Sequence, residues 1–211
     1  MSNLLATRGF SRVPPAKLQT VFMKMKSVDA KAGDVVIKQG TAGDCFFVIA
    51  QGKVVVEREA ANLPQPVKLA EFGPGATFGE DALISGSERN ATVRMLSDGK
   101  LMKLDKADFM TLLKAPLIPE VSFQQAKDLV AKGAQWLDVR MPNEVSNDRM
   151  DGSLNIPFPI LRTRLTTLPE GKPYVVFCKD GRNSSTATFL LSKHGLEAYL
   201  LRGGLDATKA Q

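Results

Sequence analysis

The sequence predicts two domains of different fold class: an antiparallel β jelly roll or barrel with flanking helices, then an α/β domain on a parallel sheet. Three observations carry this. From about residue 33 to 104, short β-rich runs alternate with glycine turns, the rhythm of an antiparallel barrel. Beyond about residue 120, strand and helix patterns alternate, as in a parallel sheet. Between them, the prolines of Ala115-Pro-Leu-Ile-Pro-Glu120 mark a boundary. The domains expected are 1–116 and 117–211, each long enough for its own core.

The elements follow in chain order. Pro15 to Lys26 places Leu18, Val21, Phe22 and Met25 on one helical face. Val35–Ile37, Cys45–Ile49, Lys53–Glu57, Lys68–Ala70, Ala91–Met95 and Lys100–Leu104 read as strands. Gly33-Asp34, Gly40, Gly43-Asp44, Gly52, Gly73-Pro-Gly75 and Asp98-Gly99 are the turns between them. Lys106 to Lys114 gives a helix with Phe109, Leu112 and Leu113 on one face, ended by Pro116. Ser122-Phe-Gln-Gln125 spells a capping box, followed by Ala126, Leu129 and Val130 and a stop at Gly133. Gln135–Val139 is a strand, and Tyr174–Phe177 is a fully apolar strand of the kind buried between layers. Ser184 to His194 is a helix stopped by Gly195, with Ser184-Ser185 as its start. Ala198–Leu201 is a strand closed by Gly203-Gly204.

Composition removes several classes. An apolar share of 44% excludes disorder. Two cysteines cannot make a disulfide framework, so a reduced, cytoplasmic setting is the simpler reading. No window approaches the ~18 apolar residues of a spanning helix. The opening Met1–Phe10 lacks the apolar stretch of a secretory signal. The net charge of +6 is scattered, and its tight basic group, Lys24, Lys26 and Lys31, lacks interleaved aromatics. No nucleic-acid or membrane partner is expected. One histidine and two distant cysteines cannot assemble a metal site. His194 reads as a helix-end residue and Cys45 as a strand core residue.

The stretch Phe78-Gly-Glu-Asp-Ala-Leu-Ile-Ser-Gly-Ser-Glu-Arg-Asn-Ala-Thr-Val93 combines a glycine, a short helical turn and an arginine. Free N–H groups and a planar cation are suited to a phosphate. This segment resembles the phosphate-binding cassette of cyclic nucleotide-binding domains of the catabolite-activator and protein kinase regulatory-subunit type. Ala32–Gly40 and Asp44–Gly52 are similar to that family's opening strands. The resemblance implies that Glu80 binds the ribose 2′-hydroxyl and Arg89 the cyclic phosphate of cAMP or cGMP. Gly79, Asp81 and Ala82 would line the cradle with amides, and Asn90 and Ala91 follow the arginine. The chain departs from the family at Asp81, an extra carboxylate, and at Pro116, which truncates the long lid helix.

In the second half, Val175-Val-Phe-Cys-Lys-Asp-Gly-Arg-Asn-Ser-Ser185 puts Cys178 where a buried strand ends and a helix begins. Loop N–H groups, Lys179 and Arg182 favour a thiolate and hold an anion beside it, and Gly181 lets the loop curl. The spelling resembles the active-site loop of rhodaneses. Trp136-Leu-Asp-Val-Arg140 with Glu144, Asp151–Pro157 and Leu201-Arg-Gly-Gly-Leu205 match further motifs of that family in order. The resemblance implies a sulfurtransferase in which Cys178 takes sulfane sulfur from a donor such as thiosulfate. The resulting persulfide passes it to a thiol or cyanide-like acceptor. The amides of Lys179, Asp180, Gly181, Arg182, Asn183 and Ser184 would stabilise that persulfide. Asp138 would be a framework carboxylate and Arg140 a cation near the rim. No cofactor is expected for catalysis, and a cyclic nucleotide would be the regulatory ligand. Asn183 stands where many relatives carry arginine, and Arg149 where a histidine is usual. The alternative is a non-enzymatic nucleotide sensor whose second domain only mediates interactions. The oligomeric state is open, with a homodimer one candidate.

Overall fold

Alternating apolar residues between tight turns pair into two antiparallel four-stranded sheets in the first half of the computed structural model. The structure describes residues 13–60, 63–146 and 148–208, so the opening Met1–Phe10 lies outside the described residues. The chain divides into two units, one taking in Pro15–Leu113 and the other Lys114–Gln211.

In the first unit, helix α1 (Pro15–Lys24) precedes β1 (Lys26–Ala30), β2 (Val35–Ile37), β3 (Cys45–Gln51), β4 (Val54–Arg58), β5 (Val67–Phe72) and β6 (Thr77–Phe78). Helix α2 (Glu80–Ser85), β7 (Thr92–Met95), β8 (Gly99–Asp105) and α3 (Lys106–Phe109) complete it. One sheet runs β1-β8-β3-β6 and the other β2-β7-β4-β5. Their inward residues, among them Ile37, Phe47, Ile49, Val54, Phe78, Val93, Met95 and Leu101, form one buried core. Phe47 stacks on Phe78 at 5.1 Å between centroids. The predicted antiparallel architecture is present.

Three details differ from the sequence reading. The first helix stops at Lys24, and Lys26–Ala30 is an edge strand. Four of its five residues are exposed, which hides the strand pattern, and the charges of Lys26 and Asp29 blunt an open edge. Each lysine of the basic group faces a carboxylate: Lys24 with Asp108, Lys26 with Asp105 and Lys31 with Asp98. Pro116 does not end the helix after the barrel. Helix α3 continues into a π turn at Met110–Lys114 and then α4 (Ala115–Leu117). The wider π turn relieves the crowding a proline ring imposes on the turn before it.

The second unit continues with β9 (Glu120–Val121), α5 (Phe123–Ala131), β10 (Gln135–Asp138), α6 (Pro142–Val145), β11 (Leu154–Asn155) and α7 (Phe158–Arg164). It closes with β12 (Tyr174–Phe177), α8 (Arg182–Lys193) and β13 (Ala198–Leu201). The five strands form one parallel sheet in the order β11-β10-β12-β13-β9. Strand β12 is central and wholly buried. Val176 packs with Leu137 and, from α7 and α8, with Leu161, Leu190 and Leu191. Val175 and Phe177 pack with Trp136 and Ala126 in a second cluster, where Leu129 of α5 joins them. The two clusters divide the alternate side chains of β12, which is why its sequence is continuously apolar. Helix α5 begins with the predicted capping box. Ser122 Oγ accepts from Gln125 N–H, and Gln125 Oε1 accepts from Ser122 N–H.

Candidate functional site

The cassette of the first unit is assembled by close approach of three segments. Gly79, at φ +91°, ends β6 and opens α2. A side chain there would meet Arg89 Nη1 and the Cys45 carbonyl at 3.1 Å, so glycine is required twice over. The loop after α2 is pinned to the turn before β3. Gly40 N–H donates to Arg89 O, Arg89 N–H donates to Thr41 O, and Ala42 bridges Glu88. These bonds aim the Arg89 side chain inward.

Its guanidinium is only 4% exposed. It donates to Gly79 O at 2.6 Å, Cys45 O at 2.7 Å and Asp44 Oδ1 at 3.1 Å. Asp44 itself is largely exposed, and its carboxyl lies below the ordinary range, chiefly through the hydrogen bond from the Cys45 thiol. Glu80 and Ala82 are buried, and Ala91 is buried beside Arg89. Asp81, a second carboxylate in the first turn of α2, is half-buried. Asn90 is exposed, and its carbonyl accepts from Arg58 Nε at 2.9 Å. The sequence reading missed Asp44 and the Cys45 carbonyl, because their approach to Arg89 depends on strand pairing far away in sequence.

In the second unit, Cys178 follows the central strand. Its Sγ accepts from Gly181 N–H at 3.2 Å, lies 3.3 Å from Ser184 Oγ, and faces Asp180 Oδ1 at 3.6 Å. Asp180 accepts from Arg182 N–H at 3.1 Å and from Arg182 Nε at 2.5 Å, which holds its carboxyl below the usual range. Helix α8 begins at Arg182, two residues before the predicted start, with Gly181 as N-cap at φ +90°. Ser184 and Ser185 are therefore inside the first turn, and both hydroxyls donate back to Gly181 O.

The closing Gly-Gly motif shapes the same loop from below. A side chain on Gly204 would meet the carbonyls of Cys178 and Lys179 at 2.5 Å. Leu205 N–H and Asp206 N–H donate to those two carbonyls. With their oxygens held there, the loop is fixed beneath the sulfur, to which Gly181 N–H donates.

Cys178 opens into a cleft of ≈ 250 Å³. Val139, Arg140, Met141 and Glu144 form one wall, Phe158 and Pro159 another, and Lys179, Asp180 and Asn183 line the loop side. Arg140 lines this cleft, but it is buried rather than a free rim cation. Asp138, fully buried, holds it through Nε at 3.0 Å and Nη2 at 2.6 Å, and Asp148 O accepts from Nη2 at 2.7 Å. Asn155 completes the support by donating to the carbonyls of Asp138 and Arg140, both at 3.0 Å. Asn155 is a positioning residue the sequence reading quoted without a role. Its two carbonyl partners could not be read from spacing. Cys45 is a core thiol, pushed up to about 12 by burial and then by Asp44. His194 is the C-cap of α8, its Nδ1–H donating to Leu190 O. Among the described residues, no cluster suited to a metal ion is present, and no helix is long and apolar enough to cross a membrane.

The fold and the two sites define a two-domain chain, a buried-arginine cassette on a β sandwich followed by a thiol-bearing loop on a parallel α/β sheet. Residues 27–115 match the cyclic nucleotide-binding domain family and residues 122–211 the rhodanese-like domain family, so the chain carries one domain of each in that order. It is 38% identical over 113 residues to a cyclic nucleotide-gated potassium channel of Mesorhizobium japonicum, covering 53% of this chain and 30% of the channel. It is 39% identical over 104 residues to a cAMP-dependent protein kinase regulatory subunit of Dictyostelium discoideum, covering 49% and 32%. The regulatory domain of Toxoplasma gondii PKA, solved with cAMP, superposes with a TM-score of 0.50 at 25% identity, over 53% of this chain and 42% of that one. The chain thus spans about a third of the curated relatives it matches.

Proposed function

We propose that this protein is a sulfurtransferase regulated by a cyclic nucleotide. The observation that carries the reading is Cys178 Sγ at the base of the cleft, within reach of the Gly181 amide and the Ser184 hydroxyl. In the first half-reaction the Cys178 thiolate attacks the outer sulfur of a donor such as thiosulfate. A new S–S bond forms at Cys178, the donor S–S bond breaks, and its electron pair leaves with sulfite. The persulfide then carries one extra sulfur and a negative charge on it. The Gly181 amide, already directed at the sulfur, and the neighbouring loop amides would stabilise that anion. A thiolate or cyanide acceptor attacks the outer sulfur and releases the Cys178 thiolate, so no metal, oxidant or external cofactor is needed.

In the first domain, Arg89, Glu80 and the amides of Gly79, Asp81 and Ala82 are the proposed nucleotide contacts, with Asn90 and Ala91 at the edge. Arg89 has five N–H donors, of which three are engaged by Gly79, Cys45 and Asp44. Two remain for a phosphate among the described residues, and the exposed Asp44 can turn outward to release a third. The fusion of the two domains in one chain supports regulation of transfer by the nucleotide. The domain limits proposed are 1–116 and 117–211.

Purified protein treated with thiosulfate is expected to gain one sulfur atom by intact mass, and Cys178→Ser to gain none. An unmodified protein across several sulfane-sulfur donors overturns the catalytic reading. Calorimetry with cAMP and cGMP tests the other domain, and the transfer assay run with and without nucleotide tests regulation.

A further inference from the structure

The charges around Cys178 cancel. The cleft is lined by two cations, Arg140 and Lys179, and two carboxylates, Glu144 and Asp180. Arg140 is already bound by Asp138, and Arg182, the next cation of the loop, is bound by Asp180. The remaining wall is largely apolar, with Phe158, Pro159 and Met141, the last 46% exposed. An anion approaching the sulfur therefore finds no excess of positive side-chain charge and meets only the loop amides and the start of α8.

We propose that this cleft selects sulfur donors with an apolar body and no more than one negative charge over the thiosulfate dianion, and that Asp180 sets this selection. The inference rests on the sulfurtransferase reading and names its donor class. Asp180 Oδ1 stands 3.6 Å from Cys178 Sγ, so a donor sulfur in attack position meets a carboxylate close by. Coulomb repulsion scales with donor charge, so a dianion is repelled twice as strongly as a monoanion at the same distance. The two hydrogen bonds from Arg182 keep the carboxylate from swinging away. They also hold its carboxyl below the usual carboxylate range. An organic thiosulfonate satisfies both requirements. Its body packs on Met141, Phe158 and Pro159, and its single charge sits on the reacting end. The chemistry balances as before: the thiolate forms an S–S bond to the outer sulfur, and the broken bond's electron pair leaves on an organic sulfinate.

The test measures kcat/KM of the full chain with thiosulfate and with benzenethiosulfonate, for wild type, Asp180→Asn and Asp128→Asn. Asparagine at 180 keeps the shape and can still accept from Arg182 N–H. Asp128 is exposed on α5 and bonded to Gln124, outside the cleft lining. Wild type is expected to favour benzenethiosulfonate by about tenfold or more. Asp180→Asn is expected to raise the thiosulfate value by about tenfold and the benzenethiosulfonate value by about threefold or less. Asp128→Asn should move neither. A wild-type preference for thiosulfate, or a donor ratio unchanged in Asp180→Asn, overturns the inference while leaving the sulfurtransferase reading intact. No persulfide from either donor overturns both.

Discussion

Two cysteines of nearly equal burial differ in what surrounds the sulfur. Cys45 lies within a sandwich core, its thiol bonded to Asp44 and pushed up to about 12. Cys178 meets an N–H donor and a cleft. Iodoacetamide at mildly alkaline pH is expected to label Cys178 and spare Cys45, as read by peptide mapping. The buried Asp138–Arg140 pair supports the wall of the same cleft. Asp138→Asn leaves the Arg140 charge without its carboxylate, and should cost about 3 kcal/mol in denaturant unfolding of the second domain. Arg89 supports the cassette and, in the proposed reading, also binds the phosphate. Arg89→Ala is expected to abolish the calorimetric heat with cAMP and cGMP and to lower stability, because it strips a donor from the buried Cys45 carbonyl and the half-buried Gly79 carbonyl. Arg89→Lys, which keeps a charge but loses the planar fork, should retain more stability than binding. Both thiols and the Arg89 cassette were legible in the sequence, because each sits in a local spelling. The pairing of Arg140 and the place of Asp180 were not, because both depend on side-chain direction within a folded loop.

At the scale of elements, turn chemistry decides where the Cys178 loop points. Gly204 accommodates the carbonyls of Cys178 and Lys179, and no side chain fits there. Gly204→Ala should distort the loop and suppress persulfide formation, with far-ultraviolet circular dichroism retained. Removing the cap of α5 separates stability from chemistry. Ser122→Ala deletes the side chain that accepts from Gln125 N–H, and is expected to cost about 1 kcal/mol while leaving sulfur transfer unchanged. The long periodic elements were readable from sequence: the capping box, the buried strand β12 and the β runs of the sandwich. Strands of two residues, Thr77–Phe78, Glu120–Val121 and Leu154–Asn155, carry no period to read. Strand β1 escaped notice because four of its five residues are exposed. The helix after the barrel runs past Pro116 because a π turn precedes it, a feature that propensity does not encode.

At the scale of the whole molecule, each unit has buried clusters of its own among the described residues, and two unfolding events are expected. The sandwich core and the paired clusters of the α/β sheet share no residue. A thermal scan should resolve two transitions, and cAMP should raise only the one assigned to the first domain. At a concentration one hundred times the Kd the added stability is about 2.7 kcal/mol. The sequence distinguished the halves through a change of rhythm, strands every few residues against strands alternating with helices. Both candidate sites are local spellings in which a glycine turn opens a helix, at Gly79 and at Gly181. The central claim is that sulfur travels through Cys178. The most direct measurement is peptide mapping by mass after brief treatment of the full chain with thiosulfate or benzenethiosulfonate. One added sulfur atom on the Cys178 peptide, removed by cyanide or a thiol, is the predicted result. An unmodified Cys178 with either donor, or sulfur found on Cys45 instead, would contradict it.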